Sequence, residues 1–370
     1  MHATFGKVSR IGILTGGGDC PGLNAVIRVV TKAAINKLGI EVMGIEDGFL
    51  GLIRNRMHPL RNEDVSNILT IGGTILGTSN KADPTHFAVG KDAEGKPIFE
   101  DVVPRVIEHV QERGIDLLVC VGGDGTMSGA ARLIERGIPC IGVPKTIDND
   151  LMHTDITFGF TTAVQTATEC LDRIHSTGSS HHRVMLVELM GRNAGWLTLH
   201  AGIASGADVI LIPEIPYDID KVCEACVRRT KRGKRFTLIA VSEGAKPIGG
   251  DVVVDKIVHD SPDPIRLGGV STVLAEQISE RTHLETRATI LGHVQRGGTP
   301  VAFDRVLATQ FGHQAVKMIA LADGWNKMAV MRKGETGMVP IADVADQQRQ
   351  VELDDPLIAM ARAVDTCMGD

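Results

Sequence analysis

A β-branched run, a glycine-rich turn and an amphipathic helix recur along this chain in that order, and the repetition constrains its fold more than any other feature. "SRIGILTGGGDCPGLNAVIRVVTKAAINKLG" reads as a strand over 10–15, a loop over 16–22 and a helix over 23–38. "DLLVCVGGDGTMSGAARLIERG" repeats the unit with strand 116–121, loop 122–125 and helix 126–136. "HRVMLVELMGRNAGWLTLHAGIASGADVILIPE" gives strand 183–189, helix 194–205 and a further strand over 208–212. "RFTLIAVSEGA" and "RATILGHVQRGG" each supply a strand that ends in a short polar loop. A helix between strands returns the chain parallel to the previous strand, so the pattern predicts mainly parallel sheets with helices on both faces. On such sheets ligands bind beyond the carboxyl ends of the strands, where these motifs are expected to lie. Between 84 and 107 the alternation breaks: two short strand-like pieces flank "GKDAEGKP", which reads as a surface hairpin.

A chain of 370 residues is too long for one small core and about right for two ordinary domains. No long flexible linker or low-complexity tract separates them, so they are expected to touch and share a cleft. The net charge of −6 leaves no basic field for nucleic acid or anionic lipid, and 3% aromatic content leaves few platforms for stacking bases. "MHATFGKVSR" lacks the apolar stretch of a secretion signal, and no run reaches the roughly 18 apolar residues of a membrane span, so a cytoplasmic location without membrane partners is expected. Seven scattered cysteines, an odd number, fit free thiols in a reducing compartment. "CEAC" at 223–226 has redox or zinc spacing, but 219, 222, 223 and 226 share one face of a helix, which makes these buried helix thiols.

Three loops carry the chemistry. "TGGGDCPG" at 15–22 sets glycines between a strand and a helix, where backbone N–H groups and the helix N-terminus favour an anion. It matches neither standard nucleotide fingerprint, and a tight turn without a ligand is the alternative reading. "VGGDGTMSG" at 121–129 places Asp124 among Gly122, Gly123 and Gly125, with Thr126 at the expected helix start. One carboxylate among phosphate-cradling glycines suits Mg²⁺, which takes few carboxylates, several waters and phosphate oxygens; the plainer reading makes Asp124 and Thr126 helix caps. "GVPKTIDNDL" at 142–151 ends a strand with Lys145, Thr146, Asp148, Asn149 and Asp150. If 146–150 is extended, Asp148 and Asp150 point the same way, ~7 Å apart, so that one could act as a base and the other orient a group; an Asx-rich turn is the alternative. Arg183, Arg192, Arg287, His293 and Arg296 are placed at further strand ends, as expected of a protein that holds anionic small molecules, although single arginines are usually just solvated. Glu243 in "VSEGA" is the opposite sign among them and suits a sugar hydroxyl.

In this order the motifs resemble those of the 6-phosphofructokinases over about residues 10–345, and "PKTIDND", "MGRNAG" and "LGHVQRGG" together are highly specific. "GGDGT" alone is weak, since lipid and NAD kinases carry a similar loop. The resemblance implies two Rossmann-like three-layer α/β/α domains with mainly parallel sheets and the active site in the cleft between them. The division expected is 1–159 plus 295–345 for a larger donor-binding domain and 160–294 plus 346–370 for a smaller fructose 6-phosphate domain. It further implies transfer of phosphate from MgATP to the 1-hydroxyl of fructose 6-phosphate, the committing step of glycolysis. Asp148 would be the general base, Asp124 would hold Mg²⁺ and Asp150 would support the same site. Gly17, Gly123, Gly125 and Thr126 would line the donor. Thr146, Asp148, Asp150, Met190, Gly191, Arg192, Glu243, His293 and Arg296 would hold the sugar phosphate. Arg183 and Arg287 would reach it from a neighbouring subunit, in a homodimer or homotetramer.

The chain also departs from the family pattern. Many members carry an arginine in the loop corresponding to "LGTSNKADP", where this chain has Asn80 and Lys81. The effector-site arginines of bacterial members match only partly, at Arg28 and Arg56, so allosteric control does not carry over. ATP-using members usually have glycine at Gly125; diphosphate-dependent members usually have aspartate there, and lysine where Lys145 stands. The chain has one mark of each donor, with Gly125 the weightier because an aspartate would exclude ATP by both shape and charge. Diphosphate is the alternative donor. A lipid or NAD kinase would leave "PKTIDND" and "HVQRGG" unexplained, and a catalytically silent subunit would be expected to lack Asp148 or Asp124.

Overall fold

The computed structural model describes residues 8–257, 265–321 and 323–370. Two sheets carry the loops of interest. The first half of the chain forms strands β1 (Arg10–Thr15), β2 (Glu41–Ile45), β3 (Met57–Leu60), a hairpin β4 (Phe87–Lys91) and β5 (Pro97–Glu100), then β6 (Leu117–Gly122), β7 (Cys140–Thr146) and β8 (Phe158–Gly159). Helices α1 (Leu23–Ala33), α2 (Phe49–Ile53), α3 (Val103–Glu112) and α4 (Asp124–Glu135) alternate with them. The middle adds α5 (Phe160–His181), β9 (Val184–Leu189), α6 (Trp196–Ala204), β10 (Val209–Leu211), α7 (Ile219–Lys231) and β11 (Thr237–Ser242). Then come an antiparallel pair, β12 (Val254–Ile257) and β13 (Ile265–Leu267), α8 (Val270–Thr282) and β14 (Thr286–Ile290). The chain ends with α9 (Ala302–Ala320), β15 (Lys327–Arg332), β16 (Glu335–Pro340) and α10 (Pro356–Ala363).

The larger sheet runs β16-β15-β7-β6-β1-β2-β3, with β8 also paired to β7, and the smaller runs β10-β11-β9-β14. Every pairing in the smaller sheet is parallel. In the larger sheet, among the described residues, only the β2–β3 and β15–β16 pairings are antiparallel. Ile11 to Thr15 and all of β6, β7, β9 and β11 are buried, because helices cover both faces of each sheet; this is why they read as unbroken apolar runs. One apolar core joins Val26 of α1 and Phe311 of α9 to Ala163 of α5 and Leu197 of α6, so it passes from the larger sheet to the smaller. Phe49, Val106 and Met127 cover the other face of the larger sheet. Val222, Cys226 and Leu274 do so for the smaller. Each large side chain withdrawn this way is worth about 1.5–3 kcal/mol.

Most predicted elements are present with shifted ends. Helix 23–38 ends as one π turn, Ala34–Leu38, closed by Gly39 at φ 65°. The helix placed at 126–136 begins two residues earlier, at Asp124. The 84–107 hairpin is β4–β5. "CEAC" lies on α7 with Cys223 and Cys226 buried, and all seven thiols are free. The antiparallel pairing of β12 with β13 was not legible in the pattern. After β16 the chain returns to the smaller sheet, where Cys367 bridges to Val209 and its carbonyl accepts the Ile210 N–H at 2.9 Å.

Candidate active site

The first glycine loop leaves β1, the second leaves β6 and "KTIDND" leaves β7, three adjacent parallel strands whose carboxyl ends therefore lie side by side. "MGRNAG", "EGA" and "HVQR" leave the carboxyl ends of β9, β11 and β14. The two sets of loops meet. Arg296, in the single 3₁₀ turn after β14, donates Nη1–H to the Asp19 carbonyl at 3.2 Å, and its guanidinium lies where a side chain on Gly18 would stand. Lys145 is only 3% exposed and donates from Nζ to the Gly18 carbonyl at 2.5 Å.

Thr126 is not at the helix start but inside the first turn of α4. It is buried, and its side chain occupies the space that Gly16 and Gly122 leave by having no Cβ. Gly17 sits at φ 75°, a conformation that glycine adopts without penalty. Its carbonyl accepts Thr78 Oγ1–H at 2.6 Å and its N–H reaches the Ser79 carbonyl at 3.2 Å. That anchors the "LGTSNKADP" loop against the first glycine loop, with Asn80 and Lys81 exposed beside it. The capping reading of "GGDGT" fails: the N-cap is Gly123, and no side chain caps the helix. Asp124 instead accepts from Gln348 Nε2 at 2.5 Å.

The 146–150 segment corrects the extended-chain reading. It leaves β7 and turns, with Asn149 at φ 51°. Asn149 Oδ1 takes the Thr157 N–H at 3.0 Å and Thr157 Oγ1 donates to the Thr146 carbonyl at 2.8 Å, which pins the turn. The segment turns, with Thr146 and not an Asx side chain accepting the N–H two residues on, and Asp148 and Asp150 nevertheless lie close enough for the first to raise the proton affinity of the second. Asp148 donates its N–H to Thr146 Oγ1 at 3.0 Å, while its buried Oδ1 has no hydrogen-bond partner among the described residues. Burial pushes the Asp148 carboxyl above its ordinary range, opposed by Arg296 and Lys145 and reinforced by Asp124. Burial first, then Asp148 and Asp124, raise Asp150 to about 8. Burial pushes the Lys145 ammonium below its usual value, with Arg296 adding to the shift and Cys20, Asp148 and Asp124 resisting it.

On the opposite side Gly191, at φ 130°, folds "MGRNAG" over the β11 loop; Ser242 Oγ donates to its carbonyl, and Gly244 passes so close to the Arg192 carbonyl that a Cβ would collide. Met190 donates its N–H to the buried amide of Gln295 at 3.3 Å. Glu243 is raised to about 7 by burial and then by Asp148, with the Gly191 N–H resisting. His293 is exposed on the 3₁₀ turn.

Two predicted residues are not brought to this cleft. Arg183 immediately precedes β9 and Arg287 is the second residue of β14, opposite Met185, so both lie at the amino ends of their strands, far from the carboxyl-end loops. Both pair with Glu285, at 2.9 and 2.6 Å. Both come at the start of their apolar runs in chain order, which grouping all the cations simply as strand-end residues overlooks.

The donor set fits Mg²⁺ carried by a polyphosphate. No group of three or more His, Cys, Asp or Glu among the described residues forms a metal cage; instead Asp124 raises the proton affinity of Asp148, and both raise that of Asp150, a shift that a cation among them would reverse. No helix among the described residues is long and apolar enough to cross a membrane.

Comparison with known proteins agrees with this arrangement. A family model described as Phosphofructokinase matches residues 10–319. The chain is 48% identical over 365 residues to the ATP-dependent 6-phosphofructokinase 2 of Clostridium perfringens (strain 13 / Type A), spanning 98% of this chain and 99% of that one. It is 46% identical over 363 residues to the ATP-dependent 6-phosphofructokinase of Spirochaeta thermophila, spanning 97% of each. Among solved structures, the phosphofructokinase of Saccharomyces cerevisiae superposes with a TM-score of 0.75 at 31% identity, over 97% of this chain and 47% of the longer yeast chain.

Proposed function

This chain belongs to the phosphofructokinase family, and from that premise we infer that it transfers the terminal phosphate of ATP to the 1-hydroxyl of fructose 6-phosphate. The observation that carries the reading is the unpartnered Asp148 Oδ1, held beside Lys145, Arg296 and Asp124 where the two sets of strand-end loops meet. In the proposed reaction the 1-oxygen bonds to the γ-phosphorus as the bond to the departing ADP oxygen breaks, and Asp148 takes the hydroxyl proton. Little covalent work falls to the protein: alignment and neutralisation of charge supply most of the rate. The buried Lys145 would face the transferring phosphoryl group, and the half-buried Arg296 would hold the sugar phosphate beside it. Asp124 would hold Mg²⁺ with Asp150 behind it, and the ion would neutralise the donor phosphates. Gly17, Gly123, Gly125 and Thr126 would line the donor, and Thr146, Met190, Gly191, Arg192, Glu243 and His293 the sugar phosphate.

ATP as donor is supported by Gly125: a Cβ there would meet nothing within 4 Å, so the first turn of α4 leaves open space for an α-phosphate. The residue range 1–159 with 295–345 is proposed as the donor unit, and 160–294 with 346–370 as the sugar-phosphate unit. Because Arg183 and Arg287 lie at the amino ends of their strands, their proposed contact with the 6-phosphate requires a second copy, in a homodimer or homotetramer. Free thiols throughout suit a reducing, cytoplasmic setting. Presenting fructose 6-phosphate and NAD side by side with MgATP tests the acceptor: the sugar phosphate should be consumed and NAD left intact, and the reverse would reject the assignment.

Glu243 makes a coupled prediction. Its folded value of about 7, against an ordinary 4.5, favours the protonated folded state. The stability it contributes is present below about pH 4.5 and lost as pH rises through about 7. Glu243→Gln, which mimics the protonated form, should therefore melt higher than wild type at pH 8, by about 1–3 kcal/mol in stability, with the gap closing toward pH 4.5. The same variant should raise KM for fructose 6-phosphate about tenfold by weakening a charge-assisted hydrogen bond. Equal melting temperatures at pH 8 would refute the burial argument.

A further inference from the structure

The segment after β16 crosses from the larger sheet to the smaller directly over the cleft, and three consecutive side chains there grip both sets of loops. Gln348 donates Nε2–H to Asp124 Oδ2 at 2.5 Å and accepts Asn193 Nδ2–H on Oε1 at 2.8 Å. Arg349 donates to the Asn149 carbonyl from Nε and Nη2 at 3.2 and 2.9 Å, and its N–H reaches the Asp150 carbonyl at 2.7 Å. Its guanidinium lies 4.6 Å over the Trp196 ring, whose Nε1–H donates back to the Arg349 carbonyl at 3.1 Å. Gln350 Nε2 reaches the Asn193 carbonyl at 3.1 Å, and the Val351 N–H meets Glu214, which also holds the Gly195 N–H.

Building on the functional reading above, we propose that Gln348 is a positioning residue for phosphoryl transfer. It fixes the Asp124 carboxylate on the donor loop and ties it to Asn193 of the sugar-side turn. The chemistry selects an amide. One end donates to a carboxylate while the other accepts from a second amide, so a single side chain bridges the two loops without adding charge. One oxygen of Asp124 is thereby occupied, leaving the second for a cation or its water. Outer partners of this kind typically change metal affinity or activity when removed. Arg349 supports the same bridge from below by holding the backbone of the Asp148 turn.

The test reads binding and not only turnover. Titrating the magnesium complex of a β,γ-imido ATP analogue into the protein by calorimetry, Gln348→Ala should bind roughly 10- to 100-fold more weakly than wild type. Gln348→Glu, of the same shape but with a carboxylate facing Asp124, should bind more weakly still. Asn193→Ala, altered on the sugar side, should weaken the same nucleotide severalfold in the wild-type background and add nothing in the Gln348→Ala background. A role in folding alone would make the two substitutions additive and would lower the melting temperature in step with affinity. Wild-type affinity in Gln348→Ala, or an equal effect of Asn193→Ala in both backgrounds, would overturn the proposal. A wild-type protein that binds the nucleotide but leaves fructose 6-phosphate untouched would instead overturn the functional reading.

Discussion

Asp148→Ser should lower kcat by about 10²- to 10⁴-fold while fructose 6-phosphate still binds. The side chain is placed for one task. Its N–H is engaged by Thr146, its Oδ1 is buried without a hydrogen-bond partner among the described residues, and burial holds its proton affinity above that of a free carboxylate. Such a group takes a proton more readily than a solvated aspartate and has a free oxygen to take it with. Replacing it removes a desolvated charge, so the variant should fold at least as well as wild type, and lost turnover then reports chemistry. The acid limb of the kcat/KM profile should also vanish with it. Single-turnover rates alongside calorimetric affinity for fructose 6-phosphate check this, and near-normal turnover would remove Asp148 as the base.

The second large effect is expected at Gly125. An added Cβ meets open space, the backbone there is not left-handed, and a carboxylate in the first turn of α4 complements the helix dipole, so Gly125→Asp should fold normally. The new carboxylate would nevertheless stand beside Asp124 in the space assigned to the α-phosphate. Its shape and charge should together cut kcat/KM for ATP by about two orders of magnitude, equivalent to ~2.7 kcal/mol. Diphosphate, which has no α-phosphate to accommodate, should be spared. Steady-state kinetics with each donor decide the matter, and unchanged ATP kinetics would refute the steric reading of Gly125.

The sheets were legible because burial on both faces writes an unbroken apolar run, as in Ile11–Leu14 and Leu117–Val121. The polar loops that follow such runs were legible for the same reason, since periodicity ends where the strand does. Grouping the cations by closeness to an apolar run was too coarse. Arg192 and Arg296 follow their runs and lie beyond the carboxyl ends, whereas Arg183 precedes its run and Arg287 is the second residue of its strand, so chain order alone puts both at the amino ends. The turn at Asn149 depends on Thr157, and an extended reading of "TIDND" misses it because the pinning residue lies outside the motif. The crossing segment was invisible for a different cause. "DQQRQV" has no period and no motif, and its partners Asp124 and Asn193 lie 224 and 155 positions away.

The most direct test is a donor comparison at saturating fructose 6-phosphate and Mg²⁺, with ATP and diphosphate supplied in turn. An open Gly125 predicts rapid formation of fructose 1,6-bisphosphate from ATP and little from diphosphate. Faster turnover with diphosphate, or none with ATP, would contradict the assignment.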